Sequence, residues 1–199
     1  MIKKIFLLCF LLFICSVFQA GAAQITFDSV SGSGTYNNSL NLLTDNSFPD
    51  EGEQWQTGTV WWIGTDPVFS FDMGDIYDID DIILSVDNND YYRVDYSLDG
   101  TDWDMLFWIS RYYGEIGWGM DTMATLSTHS EYITEIDFIA SPEARYLRIY
   151  ATGGDGYYSV GEFQAFGELS NPVPEPATML LLGSGLIGLV RFRKNKAHD

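Results

Sequence analysis

Short runs of β-branched and aromatic residues, each cut off by a turn cluster, fill the middle of this chain and leave little room for helix. Residues 68–71, 79–86, 91–97, 103–109, 132–139, 144–151 and 160–166 are such runs, and this composition favours strands. Between them lie Gly64-Thr65-Asp66-Pro67, Asp87-Asn88-Asn89-Asp90, Leu98-Asp99-Gly100 and Gly153-Gly154-Asp155-Gly156, which have the chemistry of tight turns. The segment 91–97 alternates, with Tyr92, Val94 and Tyr96 on one side and Arg93 and Asp95 on the other; the turn and Trp103 that follow read as a hairpin. No window has helical periodicity and no internal repeat is visible. The pattern predicts an all-β domain, a β-sandwich or jelly roll.

The two ends follow different rules. Lys3 and Lys4, an apolar run over 5–18 and the small residues Ala20, Gly21, Ala22 and Ala23 make a signal peptide, cleaved after Ala22 or Ala23. The run is too short to span a bilayer. Both cysteines, Cys9 and Cys15, fall inside it, so the exported domain has no disulfide, thiolate ligand or cysteine nucleophile. The expected organisation is signal peptide 1–23, β-domain 24–169, Pro-rich linker 170–176 and hydrophobic segment with basic tail 177–199.

Between the two ends stand 26 acids against four arginines, a net charge of about −22. A surface this acidic offers phosphate no basic footprint, which excludes nucleic acid as a partner. It suits a solvated extracellular protein or one that gathers divalent cations.

At the C-terminus, Asn171-Pro172-Val173-Pro174-Glu175-Pro176 precedes an apolar run over 177–190 and the cluster Arg191-Phe192-Arg193-Lys194-Asn195-Lys196. The prolines form a stiff spacer and the basic end would stay cytoplasmic. Fourteen apolar residues suit a transient anchor better than a permanent span. With Pro174, Glu175 and Pro176 at its head, this tail resembles the PEP-CTERM sorting signal of Gram-negative bacteria. The resemblance implies transient inner-membrane insertion, recognition by an exosortase-type membrane protease, loss of the tail and delivery to the cell surface or an exopolysaccharide matrix.

The domain carries a second resemblance. Phe71-Asp72-Met73-Gly74, Tyr96-Ser97-Leu98-Asp99-Gly100-Thr101-Asp102-Trp103, Ala144-Arg145-Tyr146-Leu147-Arg148-Ile149 and Gly161-Glu162-Phe163-Gln164-Ala165-Phe166-Gly167 resemble, in order, four motifs of the discoidin, or coagulation-factor C-type, family of galactose-binding-like jelly rolls. Residues 43–55 sit where that family has an early loop and a following tryptophan. Asn46 stands in place of the family's glycine and can take the same left-handed turn. In many members that loop holds a structural calcium, and the matching side chains are Asp45 and Glu162, with Asp50, Glu51 and Glu53 adding carboxylate nearby. The alternative is that these are solvated loop acids. The groups Asp75, Asp78, Asp80, Asp81 and Asp99, Asp102, Asp104 lack the spacing of an EF-hand loop and read as turn and strand-edge acids.

Aromatic residues make up 16% of the chain. Trp55 and Trp103 are assigned to packing, and of the adjacent Trp61 and Trp62 at most one can face solvent in a strand. The loop region 108–118 mixes aromatics with polar groups. Arg111, Tyr112, Tyr113, Glu115 and Trp118 are the side-chain types that a sugar site needs, a flat ring under the pyranose and hydrogen-bonding groups around it. Alternatively, this loop folds its rings over the end of the sandwich. Catalytic motifs are absent and His129 is the domain's one histidine, so no enzymatic activity is expected. The expected function is a non-catalytic module that contacts extracellular polysaccharide; the alternative is a structural matrix protein cross-linked by divalent cations.

Overall fold

The computed structural model describes residues 22–170; the signal segment up to residue 21 and the sorting tail from 171 lie outside the described residues. Ten strands are formed: β1 Ala23–Ile25, β2 Ser29–Ser33, β3 Tyr36–Asn37, β4 Val60–Ile63, β5 Val68–Asp87, β6 Tyr91–Ser97, β7 Asp104–Ile109, β8 Met120–Ala124, β9 Glu143–Gly153 and β10 Tyr157–Leu169. No helix among the described residues is long and apolar enough to cross a membrane.

The runs 68–71 and 79–86 are one strand that serves two sheets. The first part of β5 pairs β2 on one edge and β9 on the other, and β9 continues to β6 and β7. The second part pairs β8 and β10, and β10 continues to β4 and β3 while also carrying β1. The strand bends at an irregularity between Asp72 and Tyr77, beyond which Tyr77 and Asp78 pair β9 on one side and β10 on the other. Gly74 sits there at φ 78°, and a Cβ on it would lie 2.3 Å from the Asp28 carboxylate. Only glycine suits that bend.

The sheets close on each other through aromatic rings. Phe71 of β5 stacks on Phe163 of β10 at 4.4 Å, and Trp62 of β4 meets Phe69 of β5 at 4.9 Å. Trp62 is fully buried while Trp61 is half-exposed, as alternation requires.

Two readings of the sequence need correction. Residues 132–139 are not a strand: Thr134–Ile136 is a 3-10 turn, and Tyr132 contributes one isolated bridge to Ala124. This segment turns Ile133, Ile136 and Phe138 onto the core without lying along a sheet edge. Conversely, β8 carries no strand signature in the sequence, because Met120, Asp121, Thr122, Met123 and Ala124 are all buried and no exposed polar face marks it.

The familiar motifs have structural work. Asp72 accepts hydrogen bonds from Arg145 Nε at 3.0 Å and Nη2 at 3.1 Å. Asp99 caps the β6–β7 turn by accepting the amides of Thr101 and Asp102, which lowers its carboxyl to about 2. Trp103, assigned to packing, lies under the Arg148 guanidinium, 4.3 Å from its ring centre.

Candidate functional site

Several loops gather at the end of the sandwich where β5 ends and β6 begins. Asn88, buried in that connection, donates from Nδ2 to the Tyr113 carbonyl and, at 2.6 Å, to Asp121 Oδ2; its amide donates to the Gly119 carbonyl. The amides of Glu115 and Ile116 donate to the same Asp121 oxygen. The 110–119 loop is thus pinned from below by two buried side chains. Gly119 brings it against residues 52–53, where the Met120 amide donates to the Glu53 carbonyl at 3.0 Å. A Cβ on Gly119 would meet that carbonyl oxygen at 2.7 Å, so a larger residue would part the loops.

This arrangement leaves a cleft of about 360 Å³. Trp55, Trp118 and Tyr157 supply rings, and Gln54, Asp87, Asn89 and Asp155 supply polar groups. Trp55 meets Trp61 edge-on at 5.2 Å and Tyr157 at 5.7 Å. It packs as expected against these neighbouring rings and also lines the cleft. Asn89 Nδ2 donates to Asp155 Oδ2 at 3.0 Å, and the Asp155 amide donates to Asp90 Oδ1 at 3.0 Å.

Two buried acids stand at this end of the sandwich, Asp87 in the cleft lining and Asp90 behind it, holding the Asp155 amide. Asp87 and Asp90 are 2% and 0% exposed, and Asp87 Oδ1 and Asp90 Oδ2 have no hydrogen-bond partner. Burial first, then repulsion from Asp155, pushes Asp87 up to about 6. Burial outweighs the Asp155 amide and raises Asp90 to about 8, with Asp87 and Asp155 adding to the rise.

Of the sequence-predicted loop residues, Trp118 lines the cleft and is 66% exposed. Tyr112 is exposed with Arg111 stacked over it at 5.1 Å, Glu115 is exposed, and Tyr113 packs towards the core beside Trp108. Those four flank the cleft and are not among its lining residues. The loop covers the core with Tyr113 and turns Tyr112 and Trp118 outward. Gln54, Trp55, Asp87, Asn89, Asp155 and Tyr157 were missed as a site because their segments meet only in three dimensions.

The other predicted pair lies in a separate place. Glu162, fully buried on β10, accepts at Oε1 from the Asn46 amide and Gln164 Nε2, both at 3.2 Å, while its Oε2 has no partner. Burial raises its pKa. Beside it is a cavity of about 120 Å³, lined in part by Thr44 and Asn46. Asn46 takes φ 62°, the left-handed turn expected of it. Asp45 is exposed and its Oδ1 accepts the Ser47 amide at 3.0 Å. Among the described residues no group of three or more His, Cys, Asp and Glu side chains converges as a metal site. A cation here would rest on the unpartnered Glu162 oxygen and loop carbonyls; the buried orphan oxygen and its adjoining cavity fit that role.

The fold is a discoidin-like β-sandwich, similar to that of solved structures that contain CBM32 domains. Truncated AlyQ with CBM32 and alginate lyase domains superposes with a TM-score of 0.50 at 16% identity, over 79% of this chain and 37% of that one. This chain therefore spans little more than a third of that protein. A Streptococcus pneumoniae fucose binding module gives 0.51 at 12% identity, over 76% of this chain and 99% of the module. No curated protein matches by sequence. Residues 172–194 match the PEP-CTERM protein-sorting motif, so the chain is an exported protein carrying that sorting signal.

Proposed function

We propose that this protein is a non-catalytic carbohydrate-binding module, which an exosortase-type system releases to the cell surface or matrix, where it holds exopolysaccharide. The observation that carries this reading is the cleft in which Trp55, Trp118 and Tyr157 stand beside Asp87, Asn89 and Asp155. Rings bind the apolar face of a sugar and the polar groups take its hydroxyls. A glycan array probed with the purified protein tests it. Saturable binding is expected, and Trp118→Ala should weaken it by about tenfold or more, equivalent to about 1.4 kcal/mol, with little change in melting temperature because Trp118 is largely exposed. An array without binding, or binding indifferent to Trp118→Ala and Trp55→Ala, overturns the reading.

The same proposal gives Glu162 and the 43–47 loop a structural calcium, with Asp45 adding charge at the rim. Calcium at a hundred times its dissociation constant stabilises by about 2.7 kcal/mol, roughly 5–10 °C in a domain of this size. Chelation should lower the melting temperature by that amount in the native protein and leave Glu162→Gln unchanged. Equal melting with and without calcium removes the ion from the proposal. Calcium-dependent self-association on an empty array would favour the cross-linked matrix protein instead, for which the net charge of about −22 between the two ends speaks.

A further inference from the structure

The cleft has no cation of its own. Its polar lining is two carboxylates, Asp87 and Asp155, and two amides, Gln54 and Asn89. Three of the four arginines between residues 22 and 170 are committed elsewhere: Arg93 and Arg148 to Asp95, and Arg145 to Asp72. The fourth, Arg111, lies over Tyr112 on the flank. A second feature points to a missing partner. Asp87 lines the cleft, is 2% exposed, and keeps Oδ1 without a hydrogen bond. A buried carboxylate oxygen in that condition is costly unless something positive or protic meets it.

We infer that the cleft takes a glycan unit bearing a protonated amine, a de-N-acetylated hexosamine, whose ammonium pairs with Asp87 and Asp155 while its ring lies on the aromatic wall. The inference rests on the glycan-binding reading of the same cleft and names its substrate class. A neutral hydroxyl could also donate to these oxygens. A hydroxyl's bond to a carboxylate has one charged partner; an ammonium makes both partners charged and adds an ion pair, the N⁺–H···O⁻ arrangement of the strong class. An N-acetyl group removes that charge, and a uronate would bring a third carboxylate to Asp87 and Asp155 with no arginine to receive it. The aromatic rings favour a cation further, since Trp and Tyr faces attract positive charge. Stacking and ion pairing then act on one sugar unit from two sides.

Titration calorimetry of the purified protein tests this, using oligosaccharides of equal length built from glucosamine, N-acetylglucosamine and mannuronate, at physiological salt with a chelator present. The glucosamine oligomer should bind at least about tenfold tighter than its N-acetylated counterpart, the ratio that one added charge-assisted bond supplies, and the mannuronate oligomer should not bind. Asp155 is exposed, so Asp155→Asn removes a cleft charge without disturbing the interior; it should shrink the preference severalfold. Asp102→Asn with Asp104→Asn is the control for bulk attraction of a cation by an acidic protein. Those residues lie at the far end of β6, roughly 20 Å along a strand of this length, and their loss should leave the preference intact.

Equal affinity for the amine and acetylated forms overturns the inference while leaving the glycan module standing. So does a preference that survives Asp155→Asn or falls equally in the distal control. If no oligosaccharide of any class binds here or on the array, the glycan reading itself fails and the inference goes with it.

Discussion

The protein is expected to melt about 10 °C higher near pH 5 than near pH 8, the reverse of what a chain rich in paired carboxylates usually does. The cause is a pair of buried carboxylates at the cleft end of the sandwich, Asp87 in the cleft lining and Asp90 behind it. Asp90 rises from 3.8 to about 8 and Asp87 from 3.8 to about 6, in both cases mainly because burial disfavours the ionised form. In the unfolded chain each ionises near its ordinary value. The folded state therefore binds the extra proton, and stability is lost as pH rises from about 4 towards the folded values, at about 1.4 kcal/mol per pH unit for each group. The Asp87 contribution is gone by about pH 7, and that of Asp90 only about one unit above its folded value of about 8. Of the groups facing Asp90, Asp87 and Asp155 strengthen the effect and Arg111 opposes it. Glu51, also raised to about 7 by burial and by Asp121, is more open to solvent and adds less. Asp72 and Asp99 act in the opposite sense, because their folded values are lowered; their contribution fades only below about pH 4. Thermal melts of the native protein and of Asp90→Asn across this range provide the check. Asn keeps an acceptor for the Asp155 amide, so the variant should gain stability near pH 8 and flatten the profile. A native profile that rises with pH would show that these carboxylates ionise freely.

The fold was legible in the sequence to the extent that local chemistry expressed it. Turn clusters and alternating runs marked β6, β7, β9 and the two halves of β5, and the class followed. What the sequence pattern concealed was continuity. Asp75 and Asp78 look like a break between two strands, yet Asp75 lies in a bend within β5 and Asp78 is paired to both β9 and β10. Short edge strands such as β2 and β3 carry serine, glycine and asparagine and owe their pairing to the partner strand. The reverse error, at 132–139, arises because a covering segment must also bury apolar residues, and strand-like composition does not require a free sheet edge.

The candidate site was less legible. Trp118 could be picked out because one loop held many aromatic and polar residues together. Asp87, Asn89 and Asp155 occur in turn clusters whose composition is fully explained by turn formation; their meeting depends on which loops the strand order brings to the same end. Burial separates their roles. Asn88, Asp90 and Asp121 are among the most buried residues of the domain, although their residue types are rarely found inside. Asn88 and Asp121 spend their hydrogen bonds positioning the loop that carries Trp118, and Asp90 holds the Asp155 amide. Such residues look like surface in sequence and act as scaffold in the fold.

Asp95→Ala should be the most damaging single polar substitution outside the cleft, costing about 3 kcal/mol, the lower end for breaking a buried ion pair, because Asp95 is buried while the Arg93 and Arg148 side chains keep 35% and 25% exposure. The alternation of β6 puts Asp95 on the face opposite Tyr92 and Val94, where a solvent-exposed acid would be expected, but it is fully buried. Its Oδ2 accepts Arg148 Nη2 at 2.7 Å, Arg148 Nε at 2.9 Å and the Tyr150 hydroxyl at 3.2 Å, and its Oδ1 accepts Arg93. The Arg148 guanidinium in turn covers Trp103, so one carboxylate ties β6, β9 and the β6–β7 turn together. Alanine would leave two guanidinium groups facing each other without their shared counter-ion. Asp72→Ala supplies the comparison, because the Asp72–Arg145 pair is partly solvated, with side-chain exposures of 24% and 39%, and exposed pairs contribute about 1 kcal/mol or less. Denaturant unfolding of the two variants should therefore separate them by about 2 kcal/mol or more. Asp95→Asn, which keeps the shape and loses the charge, should fall between them. Equal losses for Asp95→Ala and Asp72→Ala would mean that the cost lies in strand pairing rather than in the buried charge network.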